Sequence, residues 1–256
     1  MSVRGAMRMV MSYSFARERC VCCGRMAVGN PLCGSCLSER LLGISIDMSV
    51  RCSICGRPLL GEKDLCSACR MENRFPHADQ VLPVFPYRLW MKMLLYQWKC
   101  GDRRSLSPVF AKVLGRGLEE ICGGMENFVL VPVPPRPGKI RKRGWDQIDE
   151  LCGILKRVHG FDVLGLVERF SVEQQKKKDR EERLEMKGRG YGPAVDCMKK
   201  IAAWSKSRGL PPGTRPSMAV VVDDIITTGA TVDSCAAILK DMGIPIVKVL
   251  SIAAVG

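Results

Sequence analysis

Residues Ala219–Thr231 read AVVVDDIITTGAT. With Met218 they form an apolar, β-branched run, which predicts a buried strand over Met218–Val222. The strand ends at two acids, Asp223 and Asp224. A short turn then brings Thr227, Thr228, Gly229, Ala230 and Thr231 to the start of a helix predicted from about Gly229 to Met242. Gly243 and Pro245 stop that helix. In open α/β sheets, ligands sit beyond the carboxyl ends of strands, and helix N-termini offer free N–H groups and a positive dipole end to anions. Three threonine hydroxyls and a glycine that permits close backbone approach make a phosphate cradle. The two acids just upstream are placed to accept hydrogen bonds from sugar hydroxyls. Phosphate and diol together describe a ribose 5-phosphate moiety. Each half alone is less specific: paired acids at a strand end also bind metals, and Thr and Gly before a helix also serve as caps.

Outward from this segment, strands alternate with helices. Strands are predicted at Val81–Phe85, Phe128–Val133, Asp162–Val167 and Ile246–Ala253. Helices are predicted over 87–99, 108–121 and 146–159, where apolar residues recur at helical spacing. This is the pattern of a mostly parallel α/β sheet. Residues 168–189 are densely charged and read as an exposed helix or loop. Residues 192–217 hold four prolines and read as a connecting insertion.

Nine of the 14 cysteines lie between Cys20 and Cys69, and eight of them form four C-x-x-C pairs: Cys20/Cys23, Cys33/Cys36, Cys52/Cys55 and Cys66/Cys69. Each pair supplies two thiolates on one knuckle, so two knuckles complete a tetrahedral structural zinc site. Two zinc ions are expected. Both arrangements of the pairs are open, two sequential ribbons (20/23/33/36 and 52/55/66/69) or an interleaved cross-brace. Cys22 reads as a bystander or a substitute ligand. A disulfide scaffold needs an oxidising compartment, and the first 19 residues lack the apolar core of a secretory signal. The other cysteines are scattered, as in a reducing cytoplasm. The expected organisation is a disordered tail over 1–19, a double zinc ribbon over 20–72, a linker over 73–80 and an α/β domain over 81–256.

The chain has 256 residues and a formal charge of +14. The excess is spread along the chain, +4 in the first 80 residues and +10 in the rest. Such a charge favours anionic partners. No apolar run reaches the ~18 residues of a membrane span, so membrane insertion is not expected.

The thirteen-residue segment matches the motif by which type I phosphoribosyltransferases bind 5-phosphoribosyl diphosphate (PRPP). Over about 20–255 the chain resembles the ComF family, which joins a cysteine-rich zinc module to a phosphoribosyltransferase domain and is linked to DNA uptake in competence. Leu95–Asp102 (LYQWKCGD) is similar to the family's Lys-Tyr-x-Gly-Asp segment, with Lys99 at its start and Cys100 where Tyr is usual. Val131–Pro134 (VPVP) and Arg143-Gly144-Trp145-Asp146-Gln147 resemble VPVP and RGFNQ, with Trp and Asp replacing Phe and Asn.

The resemblance implies a pyrophosphate-binding loop at Pro134, Pro135 and Arg136. It also implies a flexible loop carrying Arg169, Gln175 and Arg183, and Mg²⁺ accompanying PRPP. Lys178, Met186 and Tyr191 depart from the family pattern in and after that loop.

Two functions are expected. One is Mg²⁺-dependent transfer from PRPP to an unknown acceptor. The other is a non-catalytic PRPP- or nucleotide-sensing module that binds single-stranded DNA, or helicase-like and other proteins of the competence machinery. The aromatic residues do not cluster with the basic ones, so no base-stacking platform is evident. His77 and His159 read as structural or surface residues, and oligomeric state is left open.

Overall fold

A computed structural model describes residues 17–136, 144–170 and 190–255. The chain starts with an antiparallel hairpin, β1 (Arg17–Arg19) and β2 (Met26–Val28). A short helical stretch follows at Cys36–Leu42, and a five-residue helix, α1, at Ser67–Met71. Beyond these come β3 (Gln80–Pro86), α2 (Leu89–Lys99), α3 (Ser107–Cys122), β4 (Phe128–Pro132) and α4 (Gln147–His159). The chain continues with β5 (Val167–Arg169), β6 (Tyr191–Pro193), α5 (Cys197–Ser207), β7 (Met218–Ile226), α6 (Ala230–Asp241) and β8 (Ile246–Ala254).

The main sheet has the order β3-β8-β7-β4, and every neighbouring pair is parallel. Side chains alternate across it. Leu82, Val84, Leu130, Val220, Val222 and Leu250 pack with α3 and α4 on one face. Val81, Val129, Val131, Ala219, Val221 and Val249 pack with α6 on the other. A parallel sheet covered on both faces reads as near-continuous apolar runs, which is why VLVPV and MAVVV are so uniform. Each buried Val or Leu contributes about 1.5–3 kcal/mol.

Four elements differ from their sequence reading. Arg17–Arg19, the end of the stretch expected to be a disordered tail, form β1 because they pair with β2; residues 1–16 lie outside the described residues. β7 continues through Asp223 and Asp224 to Ile226, because β8 keeps pairing with it as far as Ile226↔Ala254. Residues 162–167 do not form one strand. Val163 makes a single parallel bridge to Leu130 at the sheet edge, and after Gly165 the chain turns away so that β5 pairs with β6. The stretch 192–217 contains α5, whose Cys197, Ile201 and Trp204 are buried at helical spacing. Its prolines bracket the helix rather than interrupt it.

The second cysteine segment lies along the free edge of β3. Buried Arg51 donates hydrogen bonds to the carbonyls of Gly56 (2.8 Å), Pro83 (2.9 Å) and Val84 (3.4 Å). Gly56 has φ +66°, and a Cβ there would lie 2.0 Å from the Val81 carbonyl oxygen. Only glycine allows this knuckle to press its backbone on the strand. The contact shields an edge that would otherwise template pairing with another chain.

Candidate functional site

β4 and β7 are paired only as far as Pro132↔Val222, with one further bond from Val133 N–H to the Val222 carbonyl (3.0 Å). Beyond this point the chain after β4 leads to α4 on one face, and the chain after β7 leads to α6 on the other. Connections that leave adjacent parallel strands to opposite faces open a crevice at their carboxyl ends. Asp223, Asp224 and the 227–231 turn stand on one side of that crevice. Pro134, Pro135 and the exposed Arg136 stand on the other.

Asp224 is 8% exposed. Its Oδ2 accepts from Lys99 Nζ at 2.8 Å. Lys99 is the last residue of α2, so that helix delivers a cation to the crevice. Asp223 turns its carboxylate back to accept from the Asp224 backbone N–H (2.8 Å). Gly229 has φ +89° and occupies the N-cap position of α6, where an L side chain would be strained. Thr227 and Thr228 are exposed. The Tyr191 hydroxyl lies 3.5 Å from Thr231 Oγ1, and the Arg169 guanidinium lies over the Tyr191 ring at 5.1 Å. Buried Cys235, one turn into α6, reports on the same charges. Its thiol is pushed up to about 12, mainly by burial and further by Asp223, with Arg169 opposing.

Two other segments singled out in the sequence meet beside the crevice. Trp145 Nε1 donates to Asp102 Oδ1 at 2.7 Å, and the Arg104 guanidinium lies over the Trp145 ring at 4.9 Å. Arg104 and Ser107 both donate to Glu150 of α4, and Ser107 accepts from Trp98. Asp146 caps α4 by accepting from the N–H groups of Ile148 and Asp149. Gln147 is fully buried in the first turn of that helix. Gly144 adopts φ +75° just ahead of the cap.

The structure therefore gathers Asp223, Asp224, Thr227–Thr231, Lys99 and Arg169 around one crevice, with Pro134–Arg136 opposite. Arg143, Gln175 and Arg183 lie outside the described residues. Sequence reasoning missed Phe75 and Asp233, and gave His77 no role at the loop. The ring of Phe75 presses on Gly229, and the Asp233 carboxylate is held by His77. These contacts span more than 150 residues of sequence, and no local spacing signals them.

The cysteines form two groups, Cys20/Cys23/Cys33/Cys36 and Cys52/Cys55/Cys66/Cys69, with all Sγ atoms within 4.8 Å of one another in each. The pairing is sequential, not interleaved. Sulfur–sulfur distances of 3.6 Å (Cys23–Cys33) and 3.7 Å (Cys55–Cys66) match the ~3.8 Å spanned by tetrahedral Zn–S bonds of ~2.3 Å. Both groups could hold zinc ions. Arg25 donates to Cys23 and lowers its thiol to about 6. Burial would raise the Cys52 thiol, but the backbone N–H groups of Cys55, Cys66 and Ile54 hold it at about 7. Burial pushes the Cys36 and Cys69 thiols up, and Cys55 to about 11. In each group, thiols of thiolate character therefore stand beside protonated ones that a bound zinc would have to deprotonate. Cys22 stands outside the first group, with Arg40 donating to its sulfur at 3.8 Å.

No helix among the described residues is long and apolar enough to cross a membrane. No protein-family model matches the chain. The chain is similar to competence protein ComFC of Streptococcus pneumoniae (strain ATCC BAA-255 / R6). The two are 25% identical over 201 residues, covering 78% of this chain and 79% of that protein. This similarity and the two four-cysteine groups support the resemblance to the ComF family read from the motifs.

Proposed function

We propose that the chain is a cytoplasmic, competence-associated phosphoribosyltransferase-like protein that binds PRPP with Mg²⁺ and carries two structural zinc ions. The observation that carries this reading is the crevice between β4 and β7. There a Thr-Thr-Gly-Ala-Thr turn at a helix N-terminus adjoins two acids, and Lys99 already sits on one of them. The 5-phosphate of PRPP would accept from the 227–231 backbone N–H groups and threonine hydroxyls. Asp223 and Asp224 would accept from the ribose hydroxyls.

The two carboxylates are the hard oxygen donors that suit Mg²⁺, which needs few protein ligands when it arrives with a diphosphate. Bound Mg²⁺ would supply charge neutralisation for the leaving diphosphate. In the transfer itself, the C1–O bond breaks and its electron pair leaves on the diphosphate. A nucleophilic acceptor atom bonds C1, and its proton passes to the departing diphosphate, directly or through water. Arg136 and donors of the loop after Pro134 would stabilise the charge that develops. Arg169, beside Tyr191, would close the other side. The role in competence follows from the relative's name and the family resemblance.

The test is thermal unfolding of zinc-loaded protein with and without Mg²⁺–PRPP, for wild type and Asp223→Asn/Asp224→Asn. A ligand at a hundredfold excess over its dissociation constant stabilises by about 2.7 kcal/mol. A rise in wild type that vanishes in the double variant supports the reading. No rise in either removes it. It would leave binding of single-stranded DNA or a partner protein, for which the net charge of +14 argues, to be tested by salt-dependent DNA affinity.

A further inference from the structure

We infer that the segment leaving the second four-cysteine group is part of the phosphate loop. Phe75 and His77 are positioning residues for Thr227–Thr231, and metal loading of Cys52/Cys55/Cys66/Cys69 is coupled through them to ligand binding. The coupling to a ligand rests on the PRPP reading above; the positioning does not.

The strap holds α6 at three heights. At the N-cap, an ideal Cβ on Gly229 would lie 2.5 Å from Phe75 Cε1 and 2.8 Å from Cζ, so the ring rests directly on the glycine backbone. Gly229 has no side chain with which to cap α6, and the Thr228 hydroxyl accepts from the Ala230 N–H at a long 3.4 Å. The orientation of the first N–H groups therefore also depends on what packs against Gly229. In the first turn, the Asp233 carboxylate receives two bonds from His77, the backbone N–H at 2.9 Å and ring Nδ1 at 2.8 Å. The N–H of Asp233 itself donates to the Gly229 carbonyl at 3.0 Å. At the far end, Asp79 accepts from Lys240 Nζ of α6 (2.6 Å) and from the Val247 N–H of β8 (2.7 Å).

The other end of the strap is tied to the cysteines. Cys66 occupies the N-cap position of α1, and Cys69 lies within that helix. The chain then turns through Asn73, whose Oδ1 accepts from the Phe75 N–H (2.9 Å). Phe75, the four cysteines, Val232, Cys235 and Ala236 belong to one continuous apolar cluster. A ribbon this small takes its folding free energy from the metal. Removing the metal releases α1, the turn and then the Phe75 ring, and the loop loses the surface that orders it. Linkage makes the effect reciprocal: a ligand that needs the ordered loop tightens metal binding by the same factor.

The experiment is hydrogen–deuterium exchange over residues 224–236 of the full chain. It compares zinc-loaded wild type, wild type after stripping by a chelator, and zinc-loaded Phe75→Ala and Phe75→Leu. Stripping and Phe75→Ala are each expected to speed exchange of the 229–233 amides by tenfold or more. Phe75→Leu, which still fills the space, should stay within about threefold. Unchanged exchange in zinc-loaded Phe75→Ala overturns the positioning role, whatever stripping does.

Zinc-loaded wild type is then equilibrated with a competing chromogenic chelator with and without Mg²⁺–PRPP, and the zinc retained by the protein is measured. PRPP should tighten the affinity for one of the two zinc ions by tenfold or more, and should not do so in Phe75→Ala. PRPP binding with unchanged affinity for both ions overturns the coupling. Absence of PRPP binding by wild type overturns the functional reading instead and leaves the exchange result standing.

Discussion

Gly229→Ala places a methyl group where the backbone and a neighbouring ring both forbid it, and the two costs can be separated. At φ +89° an alanine sits in the left-handed region, at about 1–2 kcal/mol. The new Cβ would also lie 2.5 Å from Phe75 Cε1. Carbon atoms prefer about 3.5–4.0 Å, so the buried ring must move by roughly 1 Å, and overpacking of this kind costs about 1–3 kcal/mol. The total is about 2–5 kcal/mol in wild type. In a Phe75→Ala background the ring is gone and only the backbone cost of about 1–2 kcal/mol remains. Phe75→Ala by itself costs about 3–5 kcal/mol. The assay is thermal unfolding of the four proteins at one fixed zinc excess, where 1 kcal/mol shifts the midpoint by about 2–4 °C in a chain of this size. Gly229→Ala should therefore lower the midpoint by several degrees more in wild type than in Phe75→Ala. Equal drops in the two backgrounds, within about 0.5 kcal/mol, would refute the argument that the ring rests on the glycine.

Three further outcomes are expected. Lys99→Met leaves the buried Asp224 carboxylate without its 2.8 Å partner. It should destabilise by about 1–3 kcal/mol, below the ~3–5 of a fully buried pair because Lys99 is partly exposed. Asp224→Asn should then cost less in the Lys99→Met background, and strict additivity in unfolding midpoints contradicts the pair. Trp145→Phe keeps an aromatic face but deletes the indole N–H that donates to Asp102 and part of a buried ring. Chemical denaturation should therefore show a loss of at least about 1–3 kcal/mol; an unchanged midpoint means that neither the bond nor the packing is made. In metal-free protein the Cys23 thiol, lowered to about 6 by Arg25, is a thiolate above that pH. Its alkylation by iodoacetamide should reach half-maximal rate near pH 6 rather than near the ordinary ~8.5. Arg25→Gln should move the midpoint upward, and bound zinc should protect the thiol.

The parts of the molecule that are legible in the sequence are those whose cause is local. The cysteine spacing names both four-sulfur groups because a knuckle is a local object, although it leaves the pairing of knuckles open. The uniform apolar runs at 128–133 and 218–222 announce a sheet buried on both faces, and Thr227–Thr231 announces a turn into a helix. What escapes is set by distant partners. Asp223 and Asp224 have poor strand propensity, yet β8 pairs past them and carries the strand to Ile226. The helix over Cys197–Ser207 hides between prolines, and its short apolar stripe gains meaning only when Trp204 finds Asp162 (2.8 Å). His77 sits in a polar, proline-containing stretch that reads as a linker. Its partner Asp233 is 156 residues away.

The ribbon is also why the α/β part should not behave as a free module. The main sheet has two edges, and β3 is covered by Arg51, Gly56 and their neighbours. A chain starting at residue 80 would lose that cover, expose the Pro83 and Val84 carbonyls, and lose Phe75, His77 and Asp79 together. An uncovered edge next to apolar β8 favours pairing between copies, and an untethered α6 lowers the order of the 227–231 turn. The truncated chain should therefore elute as aggregate or as mixed oligomers in size-exclusion chromatography. Any monomeric fraction should unfold at a lower temperature than the zinc-loaded full chain. Adding Phe75–Asp79 back without the cysteines should not restore it, because α1 and the Asn73 turn that aim the Phe75 ring are missing. A monomer from residue 80 that unfolds at the full-length temperature, with equally slow amide exchange over 229–233, would show that the ribbon is an appendage. The contacts of Arg51, Phe75 and His77 would then contribute nothing measurable.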